Sequence, residues 1–339
     1  SIDKIRVVGL AGAFEFEAIR PHVLGKFGDM LQVVKQHPAM LLYLDQAESV
    51  GPDSLLGQRA AMRLGANGRK VGLNENLARE ILELHTLGVR SGYNQADVTE
   101  FARALTGWTV GGLGPRMAQA TPGYTFAALL HEPGTRTIVG KSYAQGGEAQ
   151  GRAILADLAV HPATARHIAT KLARHFAADD PPPALVARLE HAFLASGGDL
   201  PTVYRALIEA PEPWQQDFAK FRTPWDWTVA ALRATGAPAP QPQIVTGLLN
   251  QLGQQVWKPG APAGYDDIAA SWAGPDALVR RVEAANRIAE RVGPIDARQL
   301  GETLFPASLS TPTRTAIARA ESPAQALALL LVSPEMLRR

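Results

Sequence analysis

The chain has 339 residues, 46% of them hydrophobic and 19% charged, with a net charge of +2. That is the balance of a globular protein, long enough to bury a sizeable core, and it excludes a disordered chain. The positive excess is too small for a nucleic-acid binder, and the absence of cysteine excludes disulfides, thiol catalysis and cysteine-held zinc or iron–sulfur centres.

Residues 12 to 44 read as two helices broken at His37-Pro38, with Phe14, Ala18 and Ile19, then Phe27, Met30, Leu31 and Val34, at helical spacing. The segment from Ala47 to Gly72 is polar and glycine-rich and is expected to be a long loop, including the basic stretch Arg59 to Lys70. Helices are expected from Asn74 to Leu87, closed by Gly88, and from Asn94 to Thr106, closed by Gly107. Asn94 and Asp97 form an N-cap pair on the second. One β-hairpin is expected next: Tyr124 and Phe126, a turn at Glu132-Pro133-Gly134, and a return arm from Thr135 to Val139.

Beyond Gly146 the pattern is helical over 148–160, 162–177, 182–196, 200–209, 224–235 and 241–254. The stretch from Gln255 to Gly274 is irregular, and helices follow near 275–291, 311–319 and 323–331. The longest apolar run, Ala324 to Val332, is far short of the roughly 18 residues of a membrane span, and no signal peptide is recognisable. The fold class expected is therefore mainly α: one large helical domain over 1–339 with a small β-hairpin and a soft internal boundary near 145.

The densest set of functional groups lies on the helix after Asn74. At about 100° per residue, Leu73, Leu77, Ile81 and Leu84 share an arc of roughly 80° and form its buried stripe. Asn76, Glu80 and Glu83 fall on one flank, Glu80 nearest the apolar face, and His85 on the other. Glu75 and Arg79 are spaced to pair. Two readings follow. Half-buried Glu80 and Glu83 are metal ligands or a general acid/base pair, completed by Asp97, His131 or His37 from elsewhere. Alternatively, they belong to an ion-pair network with Arg79 and Arg103 that fixes helix packing. Asp97 reads first as a helix cap, Trp108 as a core plug, and His85 as a core-edge histidine bonded to a carbonyl. His167, Lys171 and His175 read as a solvated face. No nucleophile elbow, zinc helix or dinucleotide turn occurs, and Gly134 to Ser142 has the wrong spacing for a phosphate loop.

The run from Asn74 to Trp108, NENLAREILELHTLGVRSGYNQADVTEFARALTGW, resembles the signature of the bacterial domain of unknown function 1800 family. Phe14–Pro21 (FEFEAIRP), His37–Asp45 (HPAMLLYLD), His131–Gly134, His161–Phe176 (HPATARHIATKLARHF) and the closing Ser333-Pro334-Glu335 carry the resemblance along the chain. Asn74, Glu75, Asn76, Arg79, Glu80, Glu83, His85, Tyr93, Asp97 and Trp108 match the family pattern, whereas Phe16 stands where the family often has a basic residue. The resemblance implies a helical bacterial protein, often exported and hence periplasmic or secreted, usually with further helical sequence before the point where this chain begins. Ser1 then marks a processed or shortened chain, and the missing N-terminal segment is a conceivable bound partner. The resemblance supplies no reaction.

Two functions are carried forward. One is an exported hydrolase with Glu80, Glu83, His85, Asp97 and His131 around a cleft, and a hard divalent ion on Glu80, Glu83 and His131. The other is a non-catalytic envelope or assembly factor that binds an envelope protein. An enzyme should bring these groups to an open pocket, and a binding module should pair them internally and expose apolar surface. A helical cofactor carrier with an axial histidine is a weaker third, since no haem-attachment motif occurs.

Overall fold

The structure is a computed structural model that describes residues 1–64, 72–113, 117–214, 220–236 and 240–339. It is mainly helical, with two small antiparallel two-stranded sheets among the described residues. The chain separates into two compact units: residues 1–172 with 183–210, and residues 173–182 with 211–339. Residue 145 lies inside the first.

In the first unit the main helices are α1 (Phe27–Gln36), α2 (Pro38–Tyr43), α3 (Leu55–Leu64), α4 (Asn76–Glu80) and α5 (Gln95–Leu105). After the sheets come α6 (Glu148–Ala159), α7 (Pro162–Phe176, which reaches the second unit), α8 (Pro183–Ser196) and α9 (Leu200–Glu209). The break between α1 and α2 falls at His37-Pro38 as the sequence predicts. His37 is the N-cap, its Nδ1 accepting the Ala39 amide at 3.1 Å, while Pro38 brings a helical φ and no orphan N–H. His161-Pro162 repeats the device at the start of α7, with Nδ1 accepting the Ala163 amide at 3.1 Å.

Three expectations are corrected. The segment expected to be a loop over Ala47 to Gly72 contains α3. Its basic residues Arg59 and Arg63 sit on that helix, while Arg69 and Lys70 lie outside the described residues. The single hairpin is in fact two sheets: β1 (Trp108–Gly111) pairs with β2 (Gly123–Phe126), and β3 (Arg136–Ile138) with β4 (Lys141–Tyr143). Pattern alone gave Tyr124–Phe126 the wrong partner, because the true one, Trp108–Gly111, is buried on both faces and shows no alternation. The turn is Val139-Gly140, both residues at positive φ as a two-residue turn of this kind requires, and not Glu132-Pro133-Gly134.

The second unit contains α10 (Pro224–Ala234), α11 (Pro242–Gln251), α12 (Pro275–Arg291), α13 (Ala297–Leu304), α14 (Thr311–Ala318), α15 (Pro323–Leu331) and α16 (Pro334–Leu337). The apolar run near 324–332 becomes α15, the central helix of this unit, with Leu327, Leu330 and Leu331 fully buried against α12 and α14. Thr223, Ser322 and Ser333 each cap a helix with a side-chain oxygen, and each is followed by proline at the first helical position. No helix among the described residues is long and apolar enough to cross a membrane.

Candidate functional site

Helix α4 does not end at Glu80. It continues as a π-helical turn from Ile81 to His85, a geometry that often accompanies functional positions because it re-aims side chains. On α1, Phe27, Leu31 and Lys35 recur at intervals of four and are buried together. The stripe that fixes α1 in the core therefore carries a lysine at its end. Lys35 is fully buried, and its Nζ lies 2.8 Å from His85 Nδ1. While Lys35 carries its proton the ammonium can only donate, and His85 Nδ1 then accepts with the ring proton on Nε2.

Burial pushes Lys35 down to about 7, and only the negative charge of Glu80 opposes it. His85 is pushed well below the usual imidazole range by burial and by the positive charges of Lys35, Lys171 and His167. Glu80 is raised by burial and by Glu83, against Lys35 and Arg79. The phenols of Tyr43 and Tyr93 are also raised, by burial and by the carboxylates of Glu80 and Glu83 respectively. Glu80, Glu83, Tyr43 and Tyr93 are half-buried, so solvent reaches this group at the carboxylates and phenols while the lysine stays covered. Sequence reasoning missed Lys35. The available signal was a cation in register with Phe27 and Leu31.

The remaining signature groups are engaged in the framework. Glu75 accepts from Thr99 Oγ1 at 2.6 Å, Gln95 Nε2 at 2.8 Å and Arg79 Nη2 at 2.9 Å, tying α4 to α5. Arg103 pairs with Glu100 at 2.5 Å. The Arg79 and Arg103 partners are thus Glu75 and Glu100, not Glu80 and Glu83. Asp97 completes the expected capping box: Asn94 Oδ1 accepts the Ala96 and Asp97 amides, and Asp97 Oδ2 accepts the Asn94 amide at 2.8 Å. Its Oδ1 accepts the Val139 amide at 2.7 Å, which pins the β3–β4 turn where a β-branched residue adopts the left-handed conformation. Trp108 plugs the core with no exposure.

His131 lies in a separate polar cluster. Its Nδ1–H donates to the Thr106 carbonyl at 2.8 Å, and its buried Nε2 has no partner among the described residues. Beside it, Glu132 is raised by burial. It accepts the Asp53 amide at 2.7 Å, and its own amide donates to Thr106 Oγ1 at 2.7 Å. Arg136 pairs with Glu100 at 3.1 Å and donates to the Pro133 carbonyl. Of the five residues expected to line one cleft, His85 touches Lys35, Glu80 acts on it by charge and Glu83 acts on Glu80, while Asp97 pins the β3–β4 turn and His131 bonds to the Thr106 carbonyl. Among the described residues no group of three or more histidines and carboxylates is arranged to hold a metal ion, so Glu80, Glu83 and His131 do not meet as one.

The row His167, Lys171, His175 is not a plain solvated face. His167 Nε2 lies 3.1 Å from the Leu84 carbonyl, and of the three only Lys171 is exposed. In the second unit, His175 Nδ1 lies 2.8 Å from Asp267 Oδ2.

A family model described as "Protein of unknown function (DUF1800)" matches residues 1–338. The chain belongs to that family. No curated protein and no solved structure matches it.

Proposed function

We propose that this DUF1800 protein is an acid–base enzyme of hydrolytic type, with Glu80 as the proton-transfer group and Lys35 and His85 as the residues that tune it. The observation that carries the reading is the contact of fully buried Lys35 with His85 Nδ1 at 2.8 Å, in place of a direct carboxylate partner. An ammonium kept only for stability would be paired and hydrogen-bonded to an anion. One bonded to a neutral imidazole can shed its proton near neutrality, and a carboxyl held above its ordinary range by burial and by Glu83 can take a proton from water or a substrate and return it. The charge of Glu83 acts on Glu80, and both carboxylates act on the half-buried Tyr93 phenol. The scheme uses no metal, in keeping with the arrangement of the carboxylates and histidines.

The test is an NMR titration of the lysine side chains of the native protein across pH 5–11, with Lys35→Met assigning the Lys35 signal, beside a panel of ester and amide substrates for the wild type and Glu80→Gln. The proposal expects the Lys35 ε-methylene to titrate with a midpoint near pH 7, far below the ordinary 10.5, and hydrolysis of at least one substrate to fall roughly a hundredfold in Glu80→Gln. A Lys35 signal that stays at its ammonium position up to pH 9, with no substrate turned over, would overturn it. That outcome would favour a non-catalytic protein that binds a partner. The observation behind this second reading is apolar exposure near the start of the chain, with Ile5 89% and Val8 52% exposed on one short helix.

A further inference from the structure

The second unit contains a groove of about 460 Å³ between α10, α11 and α12, within the roughly 300–1,000 Å³ range of small-molecule sites. Leu232, Ile244, Leu248 and Val292 form its apolar wall, and among the described residues no aromatic or acidic residue lines it. Arg287 and Arg291 border it from the last turns of α12, four residues apart and so on one face. Both are exposed, and among the described residues neither pairs with a carboxylate. This contrasts with Arg280 on the same helix, which pairs with Asp276, and with Arg314, which pairs with Glu302. The half-charge of the helix C-terminus offsets only part of two guanidinium charges.

We infer that this groove is a binding site for an unbranched fatty carboxylate, its aliphatic tail along α11 and its head held by Arg287 and Arg291. An aliphatic wall without aromatic side chains among the described residues favours an alkyl chain over an aromatic ligand. Two guanidiniums without anionic partners favour a head that accepts bidentate hydrogen bonds. A cationic or neutral amphiphile of equal length would leave those charges unanswered.

The experiment uses the full chain and isothermal titration with dodecanoate below its aggregation concentration, with dodecanol and dodecyltrimethylammonium as controls. The variants are R287Q/R291Q and Gly247→Leu. A Cβ at Gly247 meets nothing within 4 Å, so leucine there fills the groove without disturbing the core. Expected are saturable one-to-one binding of dodecanoate, at least about tenfold weaker binding of both controls, and about tenfold or greater loss in R287Q/R291Q for dodecanoate alone. Gly247→Leu should weaken dodecanoate and dodecanol together. The inference falls if dodecanoate does not saturate, or if dodecanoate and dodecanol bind alike and ignore the arginine changes. It also falls if the protein binds only vesicles of anionic phospholipid, which would make the arginines a membrane contact. Circular dichroism of each variant separates lost binding from lost fold.

Discussion

Two buried lysines, one in each unit, show that the partner and not the depth of burial sets what a charge does. Lys220 in the second unit is 1% exposed, and its Nζ lies 2.6 Å from Asp179 Oδ1 and 3.4 Å from Asp267 Oδ1, with the Asp267 carbonyl also accepting at 2.6 Å. Burial alone would raise the Asp179 carboxyl, but the Lys220 ammonium and the Ala269 amide outweigh it and hold the carboxyl below its ordinary range. Lys35 is buried to the same degree, yet its hydrogen-bond partner is an imidazole, and it drops to about 7. The first arrangement locks a charge in place. The second leaves a charge that can leave, which is the property a proton-transfer site needs.

The sharpest way to break this contrast is to make the same substitution in both units. Lys220→Met strands Asp179 and Asp267 and should cost about 3 kcal/mol in urea unfolding. That is the low end for a broken buried pair, because both carboxylates keep some 30% of their surface in water. Lys35→Met should go the other way at pH 6 and gain about 2 to 3 kcal/mol, since it removes a charge that burial penalises. If both variants lose stability alike, the two lysines are doing the same job.

The pH dependence of Lys35→Met sharpens the point. The folded-state value of Lys35 is lowered to about 7 from an ordinary 10.5. Between those values the unfolded chain holds the proton that the folded chain has released. Wild-type stability should therefore carry a contribution that rises with pH by up to about 1.4 kcal/mol per unit, absent below pH 7 and complete above 10.5. Unfolding at pH 6, 8 and 9.5 should show the advantage of Lys35→Met shrinking steadily. A constant gap would mean that Lys35 keeps its charge.

Smaller effects test the framework around the site. A Cβ at Gly51 would sit 2.5 Å from Glu132 Oε2 and 2.7 Å from Glu132 Cβ, so Gly51→Ala must displace a buried carboxylate. About 2 kcal/mol of lost stability is expected, with the Lys35 titration unchanged. Asn94→Ala removes the acceptor of two helix-end amides in α5 and should cost about 1 kcal/mol in thermal unfolding.

The helices were legible because capping and periodicity are local. Asn94 with Asp97, His37-Pro38 and the Ser-Pro and Thr-Pro starts of the second unit satisfy backbone groups within three residues of themselves, so short windows of sequence contain the reason for each boundary. Helix α3 was not legible, although Ser54 caps it by accepting the Gly57 amide at 3.1 Å, because the glycines within and on both sides of it give the whole segment a loop-like composition. Within the candidate site, Glu80, Glu83 and His85 were visible as a dense helical set. Their partner Lys35 lies 45 residues before Glu80 and shows only as a cation on an apolar stripe.

The sequence by itself determined that this is a cysteine-free, mainly helical chain of the DUF1800 family and where most of its helices start, because those properties follow from composition and near-neighbour hydrogen bonding. Only the tertiary structure decided which strand pairs with Tyr124–Phe126, that Asp97 pins a turn through Val139, and that Glu80 has a covered lysine for a neighbour. Each of these depends on contacts between residues far apart in the chain, whose desolvation and charge no local pattern records.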